Sequence, residues 1–212
     1  NLNQYNKIIN QRNKLLKEFY QNNDLNETLQ VWNMQLVSYG NQIIRRRETF
    51  VEQLNEIIYE IHKNLSGGKE ELKIVYEPNV IEDEFERKLK ISQERDIKLK
   101  MTSVGPHRDD FCFMVNDIDI RKYGSQGQQR TAALSLKLAE IELIKKVTGD
   151  SPVLLLDDVL SELDSHRQNY LLNNIGDIQT MITCTGLDEF INNRFEIDKI
   201  FKVSNGIIES EN

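Results

Sequence analysis

Four consecutive aliphatic residues, Val153-Leu154-Leu155-Leu156, run directly into two carboxylates, Asp157-Asp158. The run has no polar alternation, so it reads as a strand of the buried, parallel kind. Before it, Ser125 can cap a long helix that reaches Val147 and is closed by Gly149. After it, Asp164 or Ser165 caps a helix to Ile175, ended by Gly176, and Gln179 to Thr185 reads as another strand. Strand, helix, strand implies a right-handed βαβ unit. Carboxylates that close such a strand stand at the carboxyl edge of a parallel sheet, where open α/β folds bind ligands.

The first part of the chain follows a different grammar. None of the 3 prolines, at 78, 106 and 152, falls in it. Tyr5, Ile8, Arg12, Leu15 and Phe19 step by three and four, as one helix face does. After a polar break at Gln21-Asn22-Asn23-Asp24, a sevenfold series runs Leu29, Leu36, Ile43, Phe50, Ile57, with Leu54, Ile61 and Leu65 between. This predicts a long helix packed on a partner helix, about 60 Å from Leu25 to Leu65. Gly40 and Arg47 fall on the seam, so an imperfect coil is expected, with Trp32 and Phe50 in its core. Ser66-Gly67-Gly68 is a helix stop. The first helix begins mid-pattern, without a methionine, and an upstream segment is expected.

From residue 72, Leu72 to Pro78 alternates like a strand. Residues 80–100 are charged with helical spacing at Ile81, Phe85 and Leu89. Phe111 to Val115 and Ile118 to Ile120 flank Asn116-Asp117, a hairpin signal, and Asn205-Gly206 joins a closing hairpin. The expected domains are therefore a helical arm of two antiparallel helices over 1–71 and an α/β part over 72–212.

Composition narrows the function classes. The chain has 212 residues and a net charge of -7, which argues against a generally basic nucleic-acid coat. Residues 1–75 carry 10 Lys and Arg against 9 Asp and Glu; residues 76–212 carry 17 against 25. Nucleic-acid contact must then be local. The N-terminus lacks an apolar signal-peptide core, and no aliphatic run approaches the roughly 20 residues of a membrane helix. Cys112 and Cys184 read as free thiols of a reducing cytosol, and the 3 histidines lie too far apart for a zinc site. A cytoplasmic protein with no membrane partner is expected.

In P-loop NTPases the first carboxylate after such a strand holds Mg²⁺. A neighbouring carboxylate can orient or deprotonate the attacking water. Val159-Leu160-Ser161-Glu162-Leu163-Asp164 then resembles the D-loop of ABC-type ATPases, and Tyr123-Gly124-Ser125-Gln126-Gly127-Gln128-Gln129-Arg130 resembles their signature motif. Ser125 offers a hydroxyl, Gly127 permits close backbone approach, and the following helix N-terminus favours phosphate. Each motif alone also reads as an acidic turn or a helix cap; their order decides for the ATPase.

Gly105-Pro106-His107-Arg108-Asp109-Asp110, the signature, Thr131 to Glu140, and Asp157 to Asp164 together resemble the RecF family. The resemblance covers residues 72–212 by motif, and 1–71 only by a helical arm in the expected place. It implies an α/β fold, the C-terminal half of an ABC-type ATPase head with a mixed sheet and flanking helices, plus a coiled-coil-like arm. It implies ATP and Mg²⁺ as cofactors and a homodimer formed on ATP. It further implies double- and single-stranded DNA, RecO and RecR as partners, and a role in loading recombinase at single-strand gaps. The implied residues are Asp158 as catalytic, Asp157 for Mg²⁺, and Ser125, Gly127, Gln128, Ser161 and Asp164 for nucleotide. His107 and Arg108 read either as a surface ion cluster or as a functional loop near nucleotide or DNA.

The chain departs from the pattern in three places. No Gly-x-x-x-x-Gly-Lys-Ser/Thr phosphate loop occurs, since Gly67-Gly68-Lys69 is followed by Glu70. Gln126 stands where the general signature has its first glycine. No switch histidine follows the last core strand; Thr183-Cys184-Thr185 and then Gly186-Leu187 stand there, which leaves a threonine hydroxyl as γ-phosphate sensor. The full-length protein is therefore expected to be a weak ATPase, and this stretch alone inactive. The competing reading, of another class, is a non-hydrolysing interaction module that uses arm and head to bind a partner. A third, an SMC-like chromosome organiser, suffers from too short an arm. Arg45-Arg46-Arg47 reads as a solvated helix face, or as a sequence-independent phosphate contact. Asp117-Ile118-Asp119 reads as a hairpin rather than a nuclease site.

Overall fold

The computed structural model describes residues 1–18, 25–185 and 197–211. Phe19, the polar break before Leu25 and Gly186-Leu187 lie outside the described residues. The chain divides into two compact units, Asn1–Lys146 and Val147–Asn212.

In the first unit, α1 (Leu2–Glu18) packs on α2 (Leu25–Leu65). Asn1 bonds Gln42 and Arg12 bonds Asn33, so the two helices run in opposite directions. Then come β1 (Leu72–Glu77), α3 (Phe85–Ile91), α4 (Gln93–Leu99), β2 (Asp110–Val115), β3 (Ile118–Asp119), α5 (Ile120–Tyr123) and α6 (Gln126–Thr148). The three strands form one antiparallel sheet in the order β1-β2-β3, with Leu72 opposite Val115 and Glu77 opposite Asp110. Asn116 and Asp117 take left-handed conformations, φ 48° and 63°, which close the β2–β3 turn. The division falls at 146/147 and not at 71/72, because α2 contributes to the same core as β1, β2 and α6.

Two larger apolar clusters share α2, and near its start Leu29 joins a third with Leu15, Leu16 and Ile97. Its N-terminal half, through Leu36, Ile43 and Ile44, meets Tyr5, Ile8 and Phe85. Its C-terminal half, through Val51, Leu54 and Ile58, meets Leu72, Ile74 and Val115 of the sheet and Ala132 and Ala139 of α6. The sevenfold series therefore fails after Ile43: Phe50 is exposed, and the buried position moves to Val51. A straight helix at 3.6 residues per turn drifts about 20° per heptad, and here one face must serve two different neighbours. Gly40 lies at the crossing with α3, where a Cβ would overlap the Phe85 ring. The helix ends with Gly68 at φ +77°, its N–H donating to the Lys63 carbonyl at 2.7 Å.

The second unit holds β4 (Leu154–Asp157), α7 (Ser165–Asn174) and β5 (Thr180–Thr183), followed by the hairpin β6 (Ile200–Ser204) and β7 (Ile207–Glu211). β4 and β5 pair in parallel, Leu154 with Thr180 through Asp157 with Thr183. The aliphatic strand is not buried on both faces here: Leu156 is buried, whereas Val153, Leu155 and Met181 are exposed. A two-stranded sheet flanked by α7 has cover for one face only, and the alternation of a pleated strand sends Leu155 to the other. Among the described residues the α/β fold carries its strands in three small sheets, antiparallel and parallel, with flanking helices.

Candidate functional site

In the first unit the signature segment forms the start of α6. Ser125 precedes Gln126, and its hydroxyl accepts the Gln128 N–H at 3.2 Å. In return the Gln128 side-chain oxygen accepts the Ser125 N–H at 2.9 Å. This is a reciprocal capping box, built by Ser-x-x-Gln spacing. The serine oxygen is used here as an acceptor, so its hydrogen is free to donate outward. Ser125, Gln126, Gly127, Gln129 and Arg130 are all exposed, as is Tyr123. A Cβ on Gly127 would meet nothing nearer than the Ser125 hydroxyl, at 3.9 Å. The local fold does not need that glycine. Gly124 is different, because a Cβ there would press on Ile120 backbone and side-chain atoms within 3 Å.

In the second unit the paired carboxylates stand at the carboxyl end of β4, as their position in the sequence predicts. The Thr183 hydroxyl donates to Asp157 Oδ1 at 2.5 Å and accepts the Asp158 N–H at 3.1 Å. The Thr183 carbonyl also accepts that N–H. Asp158 is left-handed, φ 51°, a conformation that Asp and Asn tolerate better than other side chains. Both carboxylates are exposed. Ser161 donates to the Asp158 carbonyl at 2.8 Å, which closes the turn after the strand. Asp164 caps α7 by accepting the Arg167 N–H at 3.0 Å and pairs with the Arg167 guanidinium. Its carboxylate is already engaged in holding α7.

Of the remaining candidates, His107, Arg45 and Arg47 are held by neighbouring side chains, whereas Arg46 and Arg108 are exposed. The Tyr5 hydroxyl bonds His107 Nδ1 at 2.9 Å, and His107 Nε2 donates to the Thr102 carbonyl at 3.1 Å. That pattern needs the neutral Nε2–H tautomer. Burial pushes the His107 pKa below its ordinary value, and burial pushes the Tyr5 phenol up. Asp109, missed at the sequence level, is the centre of the loop. Its fully buried carboxylate accepts from Tyr76, from Arg47 at 2.6 Å and from the Asn79 N–H at 2.9 Å. Arg108 stays exposed, its guanidinium only brushing the Met101 sulfur. Of the basic triplet, Arg45 grips Glu82 and Arg47 grips Asp109 and the Pro106 carbonyl, while Arg46 is exposed. Arg12, read as one more step on a helix face, is fully buried against Asp96 at 2.8 Å.

No group of three or more His, Cys, Asp or Glu side chains is arranged to hold a metal among the described residues. A magnesium ion needs no such cage, since it binds through one or two carboxylates plus phosphate and water. Asp157, with one oxygen fixed by Thr183 and the side chain exposed at a strand end, fits that requirement.

No family model matches the chain. A protein from Lachnoclostridium phytofermentans called "DNA replication and repair protein RecF" is 63% identical over 209 residues, 99% of this chain and 58% of its own length. A protein of the same name from Lachnospira eligens is 60% identical over 214 residues. A solved structure described as "the recombination mediator protein RecF-ATP in RecFOR pathway" superposes with a TM-score of 0.85 at 36% identity, over 100% of this chain and 57% of that one. Its ATPrS counterpart gives 0.84 at 37%. The chain thus spans a little under three fifths of the length of these relatives. No described helix is long and apolar enough to cross a membrane.

Proposed function

Because this chain belongs to the RecF family of DNA replication and repair proteins, we propose that it supplies the C-terminal half of an ATPase head together with a helical arm. The full-length protein would then close into a homodimer on ATP. In that dimer Ser125 donates its hydroxyl to the γ-phosphate held by the opposite subunit. Gly127 lets the phosphate approach the backbone, and the first amides of α6 face its charge. Gln128 keeps Ser125 in place, and Ser161 and Asp164 shape the turn between the carboxylates and α7. Asp157 would hold Mg²⁺, and the ion would supply charge neutralisation at the phosphates. Asp158 orients the attacking water and accepts its proton. Closure creates a surface for double- and single-stranded DNA in the cytoplasm. RecO and RecR are the partners of this reading, with loading of recombinase at single-strand gaps as the outcome. In the Arg45–Arg47 triplet, two guanidiniums pair with carboxylates, and Arg46 is the exposed cation that a sequence-independent phosphate contact would use.

The observation that carries the reading is the exposed capping box. A serine whose proton is free, beside a glycine the fold does not require, suits a phosphate brought from outside. Sedimentation velocity of the full-length protein with and without ATP tests it. ATP is expected to convert the parent to a dimer, while Ser125→Arg binds ATP and stays monomeric. Loss of nucleotide binding together with dimerisation would overturn the trans assignment. A dimer indifferent to ATP would favour the interaction module instead.

A further inference from the structure

The sequence presents Glu70 only as the residue that spoils a phosphate loop. In the fold it stands in the turn after α2, with its backbone fixed from both sides. Its N–H donates to the Ser66 hydroxyl at 3.2 Å, and Ser66 in turn bonds the Lys63 carbonyl of α2. The next residue, Glu71, donates its N–H to the Asn116 side chain at 2.9 Å. From this anchored position Glu70 Oε1 accepts the Gln128 amide Nε2 at 2.9 Å. Glu70 Oε2 faces the buried His62 Nε2 at 3.5 Å. On the other side of that ring, His62 Nδ1 bonds the Ser135 hydroxyl at 2.9 Å. Ser135 lies seven residues after Gln128, so both fall on the same face of α6.

An amide such as Gln128 can point either way, and its neighbours decide which. A carboxylate only accepts, so Glu70 selects the orientation with Nε2 toward itself. The Gln128 oxygen is then turned to the Ser125 N–H, where it accepts at 2.9 Å. With the amide reversed, an NH₂ group would confront that N–H and half of the capping box would be lost. We propose that Glu70 is a positioning residue for the signature segment, orienting Gln128 so that Ser125 is held and tying both to the C-terminal end of α2. The functional consequence rests on reading Ser125 as a phosphate contact; the positioning itself does not.

The experiment uses the full-length protein and two variants, Glu70→Ala and Glu70→Asp. The second keeps the charge but shortens the reach by one methylene. Two readouts are taken: amide hydrogen exchange at Ser125, and the concentration dependence of ATP-driven dimerisation beside turnover at saturating protein. Loss of one hydrogen bond predicts exchange at Ser125 faster by about three- to tenfold in both variants. Exchange at Ala139, in the middle of α6, should not change. Dimer formation should require higher protein concentration, while turnover of the assembled dimer and ATP affinity of the monomer stay at parent values. Unchanged exchange at Ser125 in both variants would overturn the positioning role. Faster exchange with undiminished dimerisation would uphold it and overturn the reading of Ser125 as the phosphate contact.

Discussion

The Thr183 hydroxyl donates to Asp157 Oδ1 at 2.5 Å and, with its other face, accepts the N–H of Asp158 at 3.1 Å. One side chain from β5 therefore fixes the carboxylate of Asp157 and the backbone of Asp158. It leaves one oxygen of Asp157 for a ligand and holds the Asp158 backbone in its left-handed turn. Of the two threonine hydroxyls that could sense the γ-phosphate, that of Thr183 is engaged with Asp157 and the Asp158 backbone.

In full-length protein, Thr183→Val should therefore weaken Mg²⁺-dependent ATP binding by about 10- to 100-fold, as loss of a group that orients a metal ligand does. Asp157→Asn should lower both Mg-ATP affinity and turnover. Asp158→Asn should keep ATP binding and slow turnover by about 10²–10⁴-fold. Asparagine is the right substitution there, since it tolerates the positive φ that alanine would strain. Single-turnover hydrolysis beside equilibrium nucleotide binding separates these outcomes. Equal loss of nucleotide affinity in both Asp variants would reject the division of roles.

The two signature glycines should respond in opposite ways. Gly127→Ala meets open space, so thermal stability should hold while ATP-driven dimerisation is lost. Gly124→Ala meets Ile120, so it should lower the melting temperature of the unliganded protein. Melting curves and sedimentation on the same two samples check both halves. A stable, dimerising Gly127→Ala would remove that glycine from the phosphate contact.

Arg12 should behave as an anchor of α1. Its guanidinium bonds Asp96 and Thr102 at 2.8 Å and Asn33 at 2.7 Å, with both charged side chains fully buried. Burial pulls the Arg12 pKa down, and Asp96 pulls it back up. Removing one partner strands the other charge, so Arg12→Ala should cost about 3–5 kcal/mol. Replacing both together with apolar residues should cost far less. Urea denaturation of the parent and the two variants measures the difference.

His107 predicts an acid-sensitive fold. Its folded pKa lies below the ordinary 6.5, chiefly through burial. Below 6.5 the unfolded chain then binds more protons than the folded one, so stability rises with pH across that window and falls on acidification. Protonation would also place an N–H against the oxygen of the Tyr5 hydroxyl, which now donates to Nδ1. Melting temperatures between pH 7 and pH 5 should drop more steeply for the parent than for His107→Gln. Equal slopes would show that His107 does not titrate in the transition.

Much of the local structure was legible in the sequence. The strand at Leu72–Glu77, the turn at Asn116-Asp117 and the cap at Ser125 each depend on neighbours within a few residues, and each appears where spacing places it. The misreadings share one cause, contact at long range. Phe50 is exposed because the face of α2 changes partner, and Arg47 leaves the solvated face to pair with Asp109, which lies 62 positions away in sequence. The carboxylate pair was legible as a pair; the contact of Thr183 with it was not, since a threonine at the end of a strand shows what it bonds only once its partner strand is known. Glu70 was hidden for the same reason.

The passage of α2 from one apolar cluster to the other has a consequence for how the first unit comes apart. A single rod of 41 residues forms one wall of each cluster, and no break in it separates them. Melting of the α1-side contacts frees half the rod and leaves the other half bearing an unsupported helix end. The two clusters are thereby bound into one cooperative event, much as two rooms sharing a beam cannot lose it separately.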